Sequence, residues 1–324
     1  MSKQRPKYKI KNWSSYNKSL VQRGQLTLWV EEGLEEKWLA RSLKGKRGCS
    51  PVYSDWAIEL CLCLKNLYRF PYRAVEGLVN SLCHRLSLSV KSPCYTQLHR
   101  RSKTLSVPLK RINSSQGAID IVADATGLKV YGEGEWKVRK YGAGKRRTWK
   151  KLHLVINPAD HEIINWQLTD NTKSDDEVFP ELIESTDQPI ERAYGDGIFD
   201  RQVCYEACHK KGCLLITPPR KGAVLQNPSN KKAALVPRDT AIERIRALEK
   251  EGASPEEARR QWKKDSGYHT RSLAETAMFR FKTILGATLS SRLHPTQQTE
   301  VAIKINILNR LTSLGMPNSS LVLA

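Results

Sequence analysis

Three acidic residues, Asp124, Asp196 and Glu275, stand in local contexts suited to holding hard divalent cations. Cutting or joining a phosphodiester requires a nucleophilic attacking oxygen and a stabilised leaving oxygen. Two divalent metals roughly 4 Å apart meet both needs, and Mg²⁺ or Mn²⁺ takes carboxylate oxygens as ligands. Asp124 follows a run of strand formers, AIDIVA (118–123), and is read as the end of that strand. Asp196 lies in AYGDGIFD between Gly195 and Gly197, just past another strand-forming run. Aspartate at a strand end is also ordinary turn chemistry. Spacing alone leaves Asp120 and Asp200 open as alternatives.

Glu275 has more distinctive neighbours. Tyr268, Arg271, Glu275 and Lys282 are spaced so that, at roughly 100° per residue, they fall within about 60° on one helical face. One stripe then carries an aromatic ring, two cations and a carboxylate, so the acid can ligate metal while the cations hold phosphates. The plainer alternative is a solvated face with an ordinary Arg271–Glu275 i,i+4 pair.

The elements that must position these residues change in kind along the chain. Residues 1–48 form a basic arm with packing material such as Trp13, Trp29 and Trp38. Residues 49–117 carry helical periodicity over Asp55–Leu67 and Tyr72–Leu86, split at Phe70-Pro71, because the residue before proline avoids the helical region. Ser92-Pro93 is good helix-start chemistry, and the segment after it carries Arg100, Arg101 and Lys103. Two helices, a turn and a basic helix suggest a helix-turn-helix-like DNA-binding domain.

From 118 to 324 the texture is α/β. Strands are predicted at 118–123, 152–156, 163–168, 190–194 and 213–217, with helices at 175–184 and 201–211 between the later ones. A five-stranded mixed sheet ordered 3-2-1-4-5 makes the first and fourth strands neighbours, which lets Asp124 and Asp196 meet. An insertion at about 219–265 interrupts the pattern, with charged helices at 241–250 and 255–264. A long helix over 268–285 and a tail helix over 299–314 follow.

The net charge is +21, and it is unevenly spread: residues 1–118 hold 22 Lys and Arg against 7 Asp and Glu, a balance of +15 that leaves +6 for the rest. A basic N-terminal third points to nucleic acid. Trp136 and Trp149 flank the dense basic stretch 137–151, which includes Lys145, Arg146 and Arg147; such a stretch can grip DNA and stack on it, or be only a turn-rich basic hairpin. Trp262 has two readings, stacking on an extruded base or packing against its own helix. His153, inside a strand, reads as structural. The eight cysteines form no CxxC pair, which argues against zinc and for reduced thiols. No apolar run approaches the ~18 residues of a membrane span, and the expected location is cytoplasmic.

These residues meet a known pattern. Tyr-x2-Arg-x3-Glu-x6-Lys at 268–282 resembles the signature of DDE transposases of bacterial insertion sequences. Asp124 followed by TGLKVYG, the GEWKVRKYG, WKKLHL and GDGIFD blocks, LNRLTSLGMP near the end and WSSYNKSLVQRGQLTLWV near the start are similar to that family too. Ala125, where a hydroxyl residue is expected, and Phe199, where tyrosine is common, are small departures.

The resemblance implies an RNase H-like catalytic domain with Asp124, Asp196 and Glu275 as metal-binding catalytic residues for two Mg²⁺ ions, Mn²⁺ substituting. It also implies DNA contacts from Tyr268, Arg271 and Lys282, and a homodimer or higher oligomer on DNA. The expected function is binding of terminal inverted repeats, cleavage at the ends and joining of the 3′-hydroxyl to target DNA. A DNA-binding regulator without catalysis and a nuclease without strand transfer are the alternatives.

Overall fold

The computed structural model describes residues 7–322 apart from 27, 28, 30–32, 41–51, 113–116 and 132–148. The chain divides into two compact units, one made of residues 1–112 with 293–324 and the other of 113–292.

The first unit begins with strand β1 (Lys7–Ile10) and helices α1 (Trp13–Gln22) and α2 (Leu34–Trp38). Helices α3 (Asp55–Tyr68), α4 (Tyr72–Arg85) and α5 (Tyr95–Arg101) follow and pack pairwise. Ser54 caps α3 by accepting from the Ala57 amide, and Arg69 ends it with φ 56°. The cap of α5 differs from the expected one. Cys94 holds that position and Gln97 reaches back to its amide at 3.2 Å, whereas the Ser92 hydroxyl donates to the Pro93 carbonyl. Trp38, from the arm, is buried with its indole nitrogen donating to the Lys91 carbonyl at 2.8 Å.

In the second unit, β2 (Ile119–Val130), β3 (Trp149–Ile156) and β4 (Ile163–Asp170) form an antiparallel meander. After α6 (Asp175–Glu184), β5 (Ile190–Tyr194) returns parallel to β2. Helix α7 (Gln202–Lys211) leads to β6 (Leu214–Ile216), parallel to β5. The insertion supplies α8 (Val236–Lys250) and α9 (Pro255–Asp265). Ser254 and Glu257 cap α9 reciprocally, with Pro255 at its first position. A 3₁₀ turn (Tyr268–Arg271), helix α10 (Ser272–Leu285) and a short strand β7 (Thr288–Leu289) complete the unit. Helix α11 (His294–Ser313) and β8 (Ser319–Val322) belong to the first unit, where α11 packs on α3 and β8 pairs with β1. The tail helix thus groups with the N-terminal helices, and not with the sheet as its place in the chain suggests.

The sheet is mixed, with six strands rather than five: its order is β4-β3-β2-β5-β6, and β7 pairs with the far end of β2. The neighbourhood of β2 and β5 is as expected. The length of β2 is not: it runs six residues past Asp124, because Ala125–Lys129 continue the ladder with β3. Ile119, Ile121 and Ala123 face one side and join Val155, Phe179, Leu182 and Tyr205 in a buried cluster beneath α6 and α7. Side chains alternate across a strand, so Asp124 points to the opposite side, where α10 packs on β2 and β3.

Candidate active site

Strand pairing leaves an opening at the middle of β2. β5 pairs with Ile119–Val122 and β7 with Lys129–Val130, so among the described residues no strand covers 123–128 on that edge. Asp124 lies at the start of this opening, and Asp196 lies two residues beyond the last residue of β5. The second aspartate is fixed by its backbone turn: its Oδ1 accepts from the Ile198 amide at 2.8 Å and its carbonyl accepts from the Thr217 hydroxyl. Gly195 is required there. A Cβ on it would stand 2.4 Å from the ring of Phe199, which is buried against Phe179 at 4.9 Å between centroids.

Arg271 draws the third acid towards the first. Its guanidinium donates to Asp124 Oδ2 at 3.2 Å and to Glu275 Oε1 at 2.8 Å. The Glu275 side chain is 61% exposed and Arg271 24%, so that pair is worth on the order of 0.5 kcal/mol. Asp124 is 15% exposed, and its pair with Arg271 is the stronger of the two. Burial nevertheless dominates at Asp124: it raises the carboxyl above its ordinary value, against lowering by the Ala125 amide and Arg271, while Asp196 adds to the rise. Burial also raises the Tyr268 phenol, with further contributions from Asp196, Asp124 and Glu275. The three carboxylates therefore share one electrostatic neighbourhood. Among the described residues, however, no group of three or more His, Cys, Asp or Glu lies close enough to hold one metal ion.

The rival acids are used elsewhere. Asp120 faces Arg192 at 3.5 Å. Asp200 is wholly buried, where it pairs with Arg238 at 3.0 Å and accepts from Tyr205 and the Arg220 amide. It ties the insertion to the sheet.

Other expected residues are placed variously. Tyr268 and Arg271 lie in a 3₁₀ turn that follows Gly267, at φ 69°, and runs directly into α10. Lys282 is half-buried on α10. Trp262 is 6% exposed with its ring 6.2 Å from that of Tyr268; it packs inside the unit and offers no free face to a base. Arg100 on α5 and Lys103 in the turn after it are exposed, but Arg101 is turned inward to Asp55 and the Tyr53 carbonyl. His153 is structural, held between Asp175 at 3.1 Å and Thr169 at 3.0 Å. Trp136, Lys145, Arg146 and Arg147 lie outside the described residues.

Two features escaped the sequence reading. The contact from Arg271 to Asp124 spans 147 residues and leaves no local signal. Phe279, 69% exposed one turn beyond Glu275, was legible as an apolar residue on the charged stripe.

A family model described as "Transposase DDE domain" matches residues 115–310, well over half of the chain. The chain belongs to the DDE transposase family. A second family model of the same description matches residues 21–133. This DDE transposase is also similar to a chain in the cryo-EM structure of the piggyBac transposase synaptic complex with hairpin DNA. The identity is 10% and the TM-score 0.44, over 90% of this chain and 73% of that one.

Proposed function

We propose that the chain is the transposase of a bacterial insertion sequence, working in the cytoplasm on its element's terminal inverted repeats. In this reading the six-stranded sheet is an RNase H-like catalytic core, and α3–α5 form a helix-turn-helix-like recognition module. The supporting observation is the convergence of Asp124, Arg271 and Glu275 at the uncovered stretch of β2, beside the turn that holds Asp196. Oxygen-only side chains suit a hard divalent cation. Asp124, Asp196 and Glu275 would hold two Mg²⁺ ions, with Mn²⁺ able to substitute. When bound, the metals supply activation of the attacking oxygen and stabilisation of the leaving one.

The chain's own groups do the rest. Tyr268, Arg271 and Lys282 hold backbone phosphates around the scissile bond, and the Gly195–Phe199 turn keeps Asp196 in place. Arg100 on α5 and Lys103 just after it reach the element's end, with Lys145, Arg146, Arg147 and Trp136 as further DNA contacts. End cleavage leaves a 3′-hydroxyl, which the same site presents to target DNA. Pairing two ends requires at least a dimer on DNA.

Glu275→Gln tests this reading. Cleavage of a duplex carrying the element's end should fall by several kcal/mol of barrier, roughly a thousandfold or more, while gel-shift affinity for that duplex stays close to wild type. Retained cleavage in the variant contradicts the assignment.

A further inference from the structure

Arg271 sits where two of the three proposed metal ligands meet. One arm of its guanidinium holds Asp124 Oδ2 and the other holds Glu275 Oε1, at 3.2 and 2.8 Å. These are oxygens a divalent cation would need. The arrangement satisfies Arg271 only in part, since its Nε is buried with no hydrogen-bond partner among the described residues. A guanidinium with one buried donor unmet is matched better by a phosphate, whose oxygens can take a fork of parallel N–H groups.

The residue also stands at the junction of the 3₁₀ turn and α10. Arg271 closes the 3₁₀ turn that starts after Gly267, while Glu275 lies in the first turn of the helix proper.

We propose that Arg271 is a positioning residue that holds Asp124 and Glu275 in the DNA-free protein and exchanges them for a DNA phosphate. Divalent metal and end DNA then bind with positive coupling. In the free protein a metal competes with the guanidinium for the same carboxylate oxygens, so its affinity is lowered by the cost of displacing Arg271. A phosphate that takes the guanidinium removes this cost. By reciprocity the metal tightens DNA binding by the same factor. The site thus charges with metal when DNA occupies it, and the DNA-free protein is poor in bound metal. The inference rests on Asp124 and Glu275 being metal ligands.

Mn²⁺ binding to the full chain, followed by electron paramagnetic resonance, is the test. It is run without DNA and with a pre-cleaved end duplex, against a DNA-only blank. Arg271→Gln should bind Mn²⁺ roughly tenfold more tightly than wild type without DNA, and should lose most of the tightening that the duplex gives the wild type. Arg271→Lys keeps the charge but cannot span both carboxylates. It should fall between the two, and it serves as the reading variant if the glutamine form does not fold. Mn²⁺ affinity unchanged or weaker in both variants without DNA overturns the proposal, as does a duplex that fails to tighten Mn²⁺ binding by the wild type. Asp124→Asn and Glu275→Gln separate the two levels. If both weaken Mn²⁺ binding while Arg271 variants change nothing, the exchange fails alone; if neither weakens it, the ligand assignment fails as well.

Discussion

At Asp124 burial and an ion pair pull one carboxyl in opposite directions, and burial wins. The residue is held in a state that an added positive charge would relieve, as the proposed metal would. Asp196 is held differently, by a turn with no room for a side chain at Gly195. Gly195→Ala should cost roughly 1–3 kcal/mol in denaturant unfolding, the usual price of overpacking, and should lower cleavage by displacing Asp196; unchanged stability and cleavage would show that the turn yields freely. At this scale the sequence was informative wherever chemistry is local. The stripe around Glu275 and the glycines around Asp196 were both readable. The bridge from Arg271 to Asp124 was not, because it depends on how α10 lies against β2. Nor was the inward turn of Arg101, which depends on neighbours distant in the chain.

Among the elements, strand and helix identities were largely legible and their limits less so. Helix α6 begins and ends where its pattern says, with Asp175, Asp176 and Glu177 in the first turn, where the helix dipole favours acids. β2 was read too short because Asp124, a poor strand former, ends the run of strand formers, although Thr126, Leu128 and Val130 alternate inward as a strand requires. The break before Tyr268 was legible, because glycine readily takes the left-handed conformation that ends a helix, whereas the pairing of β7 depends on tertiary contacts. One element-level tie has a pH signature. Burial raises the Asp175 carboxyl, but the contacts from His153 at 3.1 Å and Lys151 at 2.9 Å outweigh it and leave it below its ordinary value of 3.8. The folded state therefore binds this proton less readily than the unfolded state. The stabilisation is complete above the unfolded value and lost as the pH falls through the folded one. Asp175→Asn should lower stability by about 1–2 kcal/mol at neutral pH, and the gap from wild type in urea unfolding should narrow below about pH 4. A gap that does not change with pH would contradict the ion-pair explanation.

Over the whole molecule, charge and fold divide the work. Most of the +21 lies in the first third of the chain, in the unit that carries α3–α5, whereas the acidic residues proposed for catalysis lie in the sheet unit. Composition alone made that partition legible. It did not show that the tail returns to the first unit, because α11 is buried nearly all round and its sequence names no partner. The central claim is that one site cuts the element's end and then joins it. A strand-transfer assay with purified protein, its element's end DNA, a plasmid target and Mg²⁺, run beside Asp196→Asn, tests it directly. Joined products from the wild type and none from the variant are the predicted result; nicking without joining, or specific binding with no chemistry, would contradict it.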